Sequence, residues 1–210
     1  IKNSIRNVED PHHPTSKLVC LENTHNICYG APIDENYFAD VKNIAEEHNL
    51  QLHIDGARIF NAAVALNKTV RKLAKNADSI TCCLSKGLSS PAGSLIMGNK
   101  DFIYKARYIR KALGGGMRQS GILASAGIYS FDNMIERLEE DHSNAKLLAE
   151  RLSEIDEIKI DRTKIYTNII FFYLNNTQIK DDELIFHLLN NNIKIDSKGN
   201  RKFRMVTHYG

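Results

Sequence analysis

Three short apolar runs in the first half of the chain each end in polar residues, and helical patterns separate them. The runs cover residues 17–22, 50–54 and 79–84, and they lead into Asn23-Thr-His-Asn26, Asp55-Gly-Ala-Arg58 and Ser85-Lys86. Runs of this length are typical of parallel strands buried on both faces. Because the carboxyl ends of parallel strands meet at one edge of a sheet, the pattern predicts an open α/β sheet with a ligand crevice at that edge.

The remaining pattern predicts the other elements of a two-part chain. Helices are predicted over residues 35–48, 59–66, 70–74 and 100–108, and from 117 to about 155 with a joint near 131–133. Asp34 can cap the first of them. Residues 94–97 predict an antiparallel strand beside the run at 79–84. Beyond residue 155 the pattern predicts a smaller α+β unit, with strands at 158–160, 168–174, 193–196 and 203–207 and a helix at 182–190. We place the boundary between the two parts near residue 135.

Composition argues against several classes of function. The net charge of +3 is spread along 210 residues, so we expect neither nucleic acid nor a membrane surface as a partner. No apolar run reaches transmembrane length. Cys82 and Cys83 are neighbours in an apolar strand, and with Cys20 and Cys28 they favour a reduced, cytoplasmic protein. The chain begins at Ile1 and ends without a polar tail, so we expect that it is cut from a longer protein at both ends.

Lys86 and Asp55 are the residues on which a chemical interpretation depends. Lys86 lies in a turn of small residues, where a partly desolvated amine would lose its proton and could form a Schiff base. A solvated surface lysine is the alternative. Asp55 follows the neighbouring strand, and it is either a helix cap or a buried carboxylate that needs a cationic partner. Pyridoxal phosphate requires both groups: a lysine for its aldehyde carbon and a carboxylate that keeps its pyridine nitrogen protonated.

Four motifs in register resemble the low-specificity L-threonine aldolases. They are Leu21-Glu-Asn-Thr-His-Asn26, His53-Ile-Asp-Gly-Ala-Arg-Ile-Phe-Asn-Ala62, Ser85-Lys-Gly-Leu-Ser-Ser-Pro-Ala-Gly-Ser94 and Arg110-Lys-Ala-Leu-Gly-Gly-Gly-Met-Arg-Gln119. The resemblance runs from about residue 5 to the end. It implies pyridoxal 5'-phosphate as cofactor and the aspartate-aminotransferase fold, fold type I. Residues 1–135 would be the C-terminal portion of the large cofactor-binding domain, and residues 136–210 a linking helix and an incomplete small α+β domain.

The resemblance assigns cofactor-binding roles to five residues. Lys86 would be the Schiff-base lysine and Asp55 the partner of the pyridine nitrogen. Arg58 would bind either the cofactor or the substrate carboxylate, or else be a surface ion-pair arginine. Ser85 would touch the phosphate. Lys111 matches a lysine near the cofactor, with a solvated helix end as the alternative.

The resemblance also assigns substrate-binding residues. Arg204 would bind the substrate carboxylate, since its planar fork can donate two parallel hydrogen bonds. His12 would lie near the substrate hydroxyl and act as the base, or His13 if the register shifts by one; exposed loop histidines are the alternative. His25 could be a metal ligand, but no second ligand has convincing spacing, so we predict no metal. Gly114-Gly-Gly116 would form a turn at a subunit interface.

The implied reaction is aldol cleavage of L-threonine or L-allo-threonine to glycine and acetaldehyde in a homodimer or homotetramer. Another lyase of β-hydroxy amino acids and a hydroxymethyltransferase relative are alternatives. So is a catalytically incomplete domain that serves only as an oligomer partner. The family's phosphate-binding turn, its ring-stacking histidine and a serine near the carboxylate have no counterpart in these 210 residues. We therefore expect the chain alone to be inactive.

Overall fold

A four-stranded sheet forms the centre of the first half of the chain. The structure is a computed structural model that describes residues 1–6, 9–175 and 178–209. The sheet has the order β1-β2-β3-β4, with β1 at Leu18–Glu22, β2 at Gln51–Gly56, β3 at Ser79–Cys83 and β4 at Ser94–Gly98. The first three strands are parallel and β4 runs antiparallel to β3. The predicted mixed, mostly parallel sheet is confirmed.

Four helices accompany this sheet. They are α1 at Glu35–Glu47, α2 at Ile59–Leu66, α3 at Val70–Leu73 and α4 at Lys100–Ala112. The Asp34 carboxylate accepts a hydrogen bond of 3.0 Å from the Tyr37 amide and caps α1, as predicted. The buried side chains of Phe38, Leu52 and Ile54 join α1 and β2 in the main hydrophobic core.

Two further helices lead to the second half of the chain. Helix α5 spans Gly121–Asn133 and α6 spans Leu138–Leu152, so the predicted joint is present within a few residues of its expected place. Met134 and Leu138, on either side of this joint, pack against Leu84 and Leu88 beyond β3. No helix of the described ranges is both long enough and apolar enough to cross a membrane.

The second sheet is antiparallel and has the order β5-β6-β8-β7. Its strands are β5 at Ile158–Ile160, β6 at Ile169–Leu174, β7 at Asp196–Ser197 and β8 at Lys202–Val206, and α7 spans Asp181–Asn190. Short 3₁₀ turns cover Lys2–Ser4 and Arg162–Lys164. Ala145 and Ala149 of α6 pack against Ile170 of β6. Because α6 also packs against α2, it joins the two sheets, and a domain boundary near residue 135 stays a prediction.

Two details of the sequence interpretation were wrong. The strand predicted over 193–196 begins only at Asp196, because the Ile193 amide still donates to the Leu188 carbonyl at the end of α7 (2.8 Å). Strand β1 was expected to be buried on both faces, yet Leu18 is exposed. Within the described residues β1 is an edge strand of its sheet and is covered less than the central strands.

We predict that Gly56→Ala lowers the free energy of unfolding by about 1–3 kcal/mol, the usual cost of overpacking. A Cβ atom at Gly56 would lie 2.4 Å from the Thr81 carbonyl oxygen, on the neighbouring strand. Gly121→Ala is the matched control, since a Cβ there meets no atom within 4 Å. It should be neutral or stabilising by less than about 1 kcal/mol. Urea denaturation of both variants measures the difference, and equal values would contradict the prediction.

Candidate functional site

The carboxyl edge of the first sheet brings together residues that are far apart in sequence. The register pairs Glu22 with Asp55 on β1 and β2, and Asp55 with Thr81 on β2 and β3. Lys86 lies in the turn that follows β3. Asp55 in β2 and Lys86 in the turn after β3 are therefore at the same edge of the sheet, as the sequence predicted.

Asp55 is partly buried and has one carboxylate oxygen without a partner. Its Oδ1 accepts from the Ala57 amide (3.0 Å), and its backbone carbonyl accepts from the Asn23 amide (2.8 Å). Its Oδ2 accepts no hydrogen bond from any described residue. Asp55 is not a helix cap, because α2 begins only at Ile59 and has no side-chain cap hydrogen bond. One carboxylate oxygen instead holds the local turn, and the other can pair with a cation.

The Lys86 turn is held by its backbone and leaves the amine free. The Lys86 carbonyl accepts from the Ser89 amide (2.9 Å), and the Ser90 amide donates to the Leu84 carbonyl (3.0 Å). Lys86 is exposed, and no described residue pairs with its Nζ. The expected desolvation of this amine is therefore not provided by the described part of the chain. Ser85 is also exposed, with its Oγ 3.4 Å from Cys83 Sγ.

A buried polar cluster of Asn61, His142 and Asn168 packs against this turn at Gly87. A Cβ at Gly87 would lie 2.8 Å from Leu138 Cδ2 and 3.1 Å from Asn61 Oδ1. The Asn61 amide of α2 donates to His142 Nε2 (3.2 Å) and to Asn168 Oδ1 (3.4 Å), so it reaches both α6 and the start of β6. Sequence reasoning missed this cluster, although Asn61 lies within one of the four quoted motifs.

The His142 imidazole of this cluster is neutral at physiological pH. Burial lowers its pKa to about 4, and the positive charge of Lys146 adds to the shift. A neutral ring leaves Nε2 free to accept the hydrogen bond from Asn61. The contact between α2 and α6 therefore depends on this ring staying unprotonated.

Two arginines, one from each half of the chain, lie at the carboxyl edge of the first sheet. Arg58 directly precedes α2, and its side chain is only 14% exposed. Its Nη1 lies 3.8 Å from Glu22 Oε1, whose other oxygen lies 3.4 Å from His25 Nε2. Burial lowers the Arg58 pKa, the negative charge of Glu22 opposes this shift, and the positive charge of Arg204 adds to it.

Arg204 reaches the first sheet from β8. Its Nη1 donates to Asn26 Oδ1 (2.8 Å), and its Nη2 lies 2.9 Å from Asp196 Oδ2. Its Nε is buried and has no hydrogen-bond partner, and the same is true of His25 Nδ1. The unpaired buried Nε–H of the Arg204 guanidinium is suited to an anion such as a carboxylate.

The loop after β1 is fastened to the second sheet, which explains how Asn26 meets Arg204. The Thr167 hydroxyl donates to the Gly30 carbonyl (3.0 Å), and the Tyr29 ring packs edge-on against Phe171 at 4.9 Å between centroids. These contacts join the two sheets at the edge that carries the arginines.

The other predicted site residues do not contact this cluster. The His12 side chain is 90% exposed and pairs with Asp10, its Nδ1 lying 2.9 Å from Oδ1; His13 Nδ1 lies 3.6 Å from the other oxygen. Lys111 is exposed in the last turn of α4, and its stem lies over Gly116. The described residues hold no group of three or more histidine, cysteine or acidic side chains placed for a metal.

Comparison with known proteins places the chain in a family. The profile of the family described as beta-eliminating lyase matches residues 1–176. The chain belongs to the beta-eliminating lyase family. A probable low-specificity L-threonine aldolase 2 of Arabidopsis thaliana is 48% identical over 162 residues, which are 77% of this chain and 46% of that protein. A low specificity L-threonine aldolase of Escherichia coli K12 is 47% identical over 163 residues, 77% of this chain and 48% of that protein. This family member thus spans about half the length of the curated relatives that it matches.

Solved structures confirm the fold. A putative L-allo-threonine aldolase from Listeria monocytogenes superposes with a TM-score of 0.79 at 20% identity, covering 97% of this chain and 58% of that one. A Leishmania major threonine aldolase gives 0.71 at 21% identity, covering 95% and 58%. A PLP-dependent aminotransferase from Streptococcus suis gives 0.68 at 16% identity, covering 93% and 53%. The fold-type-I α/β class and the predicted family resemblance are both confirmed.

We predict an acid-sensitive stability that originates at His142. The folded pKa of about 4 lies below the ordinary value of 6.5. The unfolded chain therefore binds the extra proton first, and stability present above pH 6.5 is lost as the pH falls toward 4. Between pH 7.5 and pH 5 the wild type should lose about 2 kcal/mol of unfolding free energy through this group.

His142→Gln keeps an acceptor for Asn61 but cannot be protonated. This variant should therefore not show the loss of unfolding free energy that His142 causes in the wild type. His187→Gln, which replaces an exposed histidine of α7, is the control and should leave the loss unchanged. Urea denaturation at the two pH values measures both. A His142→Gln profile as steep as that of the wild type would rule out His142 as the source.

Proposed function

We propose that this chain forms part of the active site of a pyridoxal-phosphate-dependent aldolase that cleaves L-threonine or L-allo-threonine to glycine and acetaldehyde. One observation carries the proposal. Asp55 and Lys86 lie at the carboxyl edge of neighbouring parallel strands, where Arg58 is near Glu22 and Arg204 binds Asn26. The names of the relatives, low-specificity L-threonine aldolases, support the choice of reaction.

The free polar groups at this edge fit pyridoxal phosphate. Asp55 Oδ2 would pair with the pyridine nitrogen, and Lys86 Nζ, which has no partner among the described residues, would hold the aldehyde carbon. Ser85 is exposed beside Lys86 and would touch the phosphate, and Lys111 is proposed to lie near the cofactor. When bound, pyridoxal phosphate supplies the electron sink for breaking the Cα–Cβ bond of the substrate.

The two arginines would hold the substrate carboxylate. Arg204 offers an unpaired buried Nε, and Arg58 adds a second guanidinium whose charge is only partly balanced by Glu22. A carboxylate held at two points fixes the direction of the Cα–Cβ bond. His12 is proposed as the base that takes the β-hydroxyl proton, and His13 is its alternative. Both are now paired with Asp10 and would have to turn toward the substrate.

The proposal includes assembly of two or four copies in the cytoplasm. Helix α5 and the end of α4 expose large apolar side chains, among them Ile122, Tyr129 and Leu113, which directly follows α4 and is 82% exposed. Exposed apolar side chains in such number are typical of contact surfaces between subunits. All four cysteines are free, which suits a reducing compartment.

Other reactions at the same residues remain candidates. A lyase for other β-hydroxy amino acids and a hydroxymethyltransferase relative would use the same lysine and carboxylate. A non-catalytic oligomer partner would need neither. Products formed from threonine distinguish the first two, and the absorbance of the bound cofactor distinguishes the third.

We predict that Lys86→Ala abolishes both the visible absorbance formed with pyridoxal phosphate and the release of acetaldehyde from threonine. The protein is expressed from its complete gene, and Lys75→Ala, at an exposed lysine in the loop after α3, is the control. Asp55→Asn should retain the absorbance and lower kcat about a hundredfold or more, because losing one member of a buried ion pair costs about 3 kcal/mol. Wild-type protein with no Lys86-dependent band would refute the proposed function.

A further inference from the structure

The Arg204 guanidinium is already engaged by a carboxylate of its own chain. Asp196 stands directly opposite Arg204 in the pairing of β7 with β8, and its Oδ2 lies 2.9 Å from Arg204 Nη2. Asn26 accepts from Nη1, which leaves Nε as the buried N–H without a partner. Of the three donor nitrogens, Nη2 thus has an anionic partner, Nη1 has a neutral partner and Nε has none.

The position of Asp196 matters because of the shape of guanidinium. Nε–H and one N–H of Nη2 point the same way, and this side-on pair is one of the two forks that bind a carboxylate with two parallel bonds. Of the two outer nitrogens, Nη1 donates to Asn26 Oδ1 and Nη2 lies 2.9 Å from Asp196 Oδ2. An incoming carboxylate that binds Nε and one N–H of Nη2 would share Nη2 with Asp196, so two negative charges would compete for one guanidinium group.

From this geometry we infer that Asp196 sets the affinity for the substrate by competing with the amino-acid carboxylate for Arg204. The inference rests on the proposed role of Arg204 in binding that carboxylate. It adds an affinity-determining residue from the second sheet, which no sequence motif indicated.

Lys198 can remain paired with Asp196 when the Asp196 carboxylate moves away from Arg204. Its Nζ forms an ion pair with the same oxygen, Asp196 Oδ2, that faces Arg204. The Asp196 side chain is 43% exposed, so water can also solvate it when it leaves Arg204. Release of Asp196 therefore leaves no buried charge unpaired. Lys198 weakens the competition because its positive charge also attracts the Asp196 carboxylate.

Opposite effects are expected from removing Asp196 and removing Lys198. Asp196→Asn keeps an oxygen for Nη2 but removes the negative charge, so glycine should bind more tightly by about two- to fivefold, the range of a partly exposed ion pair. Asp196→Ser should act in the same direction. Lys198→Met leaves Asp196 to Arg204 alone and should weaken glycine binding by about the same factor.

Equilibrium dialysis with labelled glycine measures these affinities in the protein expressed from its complete gene and loaded with pyridoxal phosphate. Glycine carries the amine and carboxylate of threonine but has no bond to cleave, so binding is measured whether or not the protein is an aldolase. Asp156→Asn removes the same charge from an exposed position between α6 and β5, and it should leave the affinity unchanged. The KM for threonine should follow the same order as the glycine affinity.

Glycine affinity that does not rise in either Asp196 variant, including the case in which no variant binds glycine, would overturn the inference. So would an equal gain in Asp156→Asn, because the effect would then be one of net charge. Failure of the proposed function has a different signature, namely no acetaldehyde from threonine and no Lys86-dependent absorbance. Each of the two conclusions can therefore fail while the other stands.

Discussion

The parallel pairing of β1, β2 and β3 is the constraint on which the site depends. Because the three strands run the same way, their carboxyl ends lie at one edge, and the backbone register sets Glu22 beside Asp55. Lys86, in the turn that follows β3, lies at the same edge. A shift of one residue in this register would turn every side chain of the shifted strand to the opposite face. The hydrophobic alternation that buries Leu52 and Ile54 therefore also positions the polar residues that follow.

The junction between the two sheets is the second determinant. Asn61, His142 and Asn168 form a buried polar contact next to the Lys86 turn, while Arg204 and Asn26 form a partly buried one. Buried polar groups are costly unless they are satisfied, so such contacts favour one relative placement of the two sheets. The geometry of the proposed substrate site and the stability of the junction are thus linked through the same elements.

Much of the fold could be predicted because its signals are local. The apolar runs, the Asp34 cap and the break between α5 and α6 each depend on residues close in sequence, and each is present where expected within a few residues. The predictions that failed depended on context. The end of α7 extends through a backbone hydrogen bond of Ile193, and the exposure of Leu18 depends on what lies beside β1.

The sequence by itself determined the order of strands and helices, the family and the positions of Asp55 and Lys86, because motifs and periodicity act over short distances. It also indicated Arg58 and Arg204 as a pair, but only through the family resemblance. Tertiary structure alone decided that Asp196 stands against Arg204 and that Asn61 reaches His142. Such contacts join residues far apart in the chain, and their pairing follows from sheet register and helix packing, which no local pattern encodes.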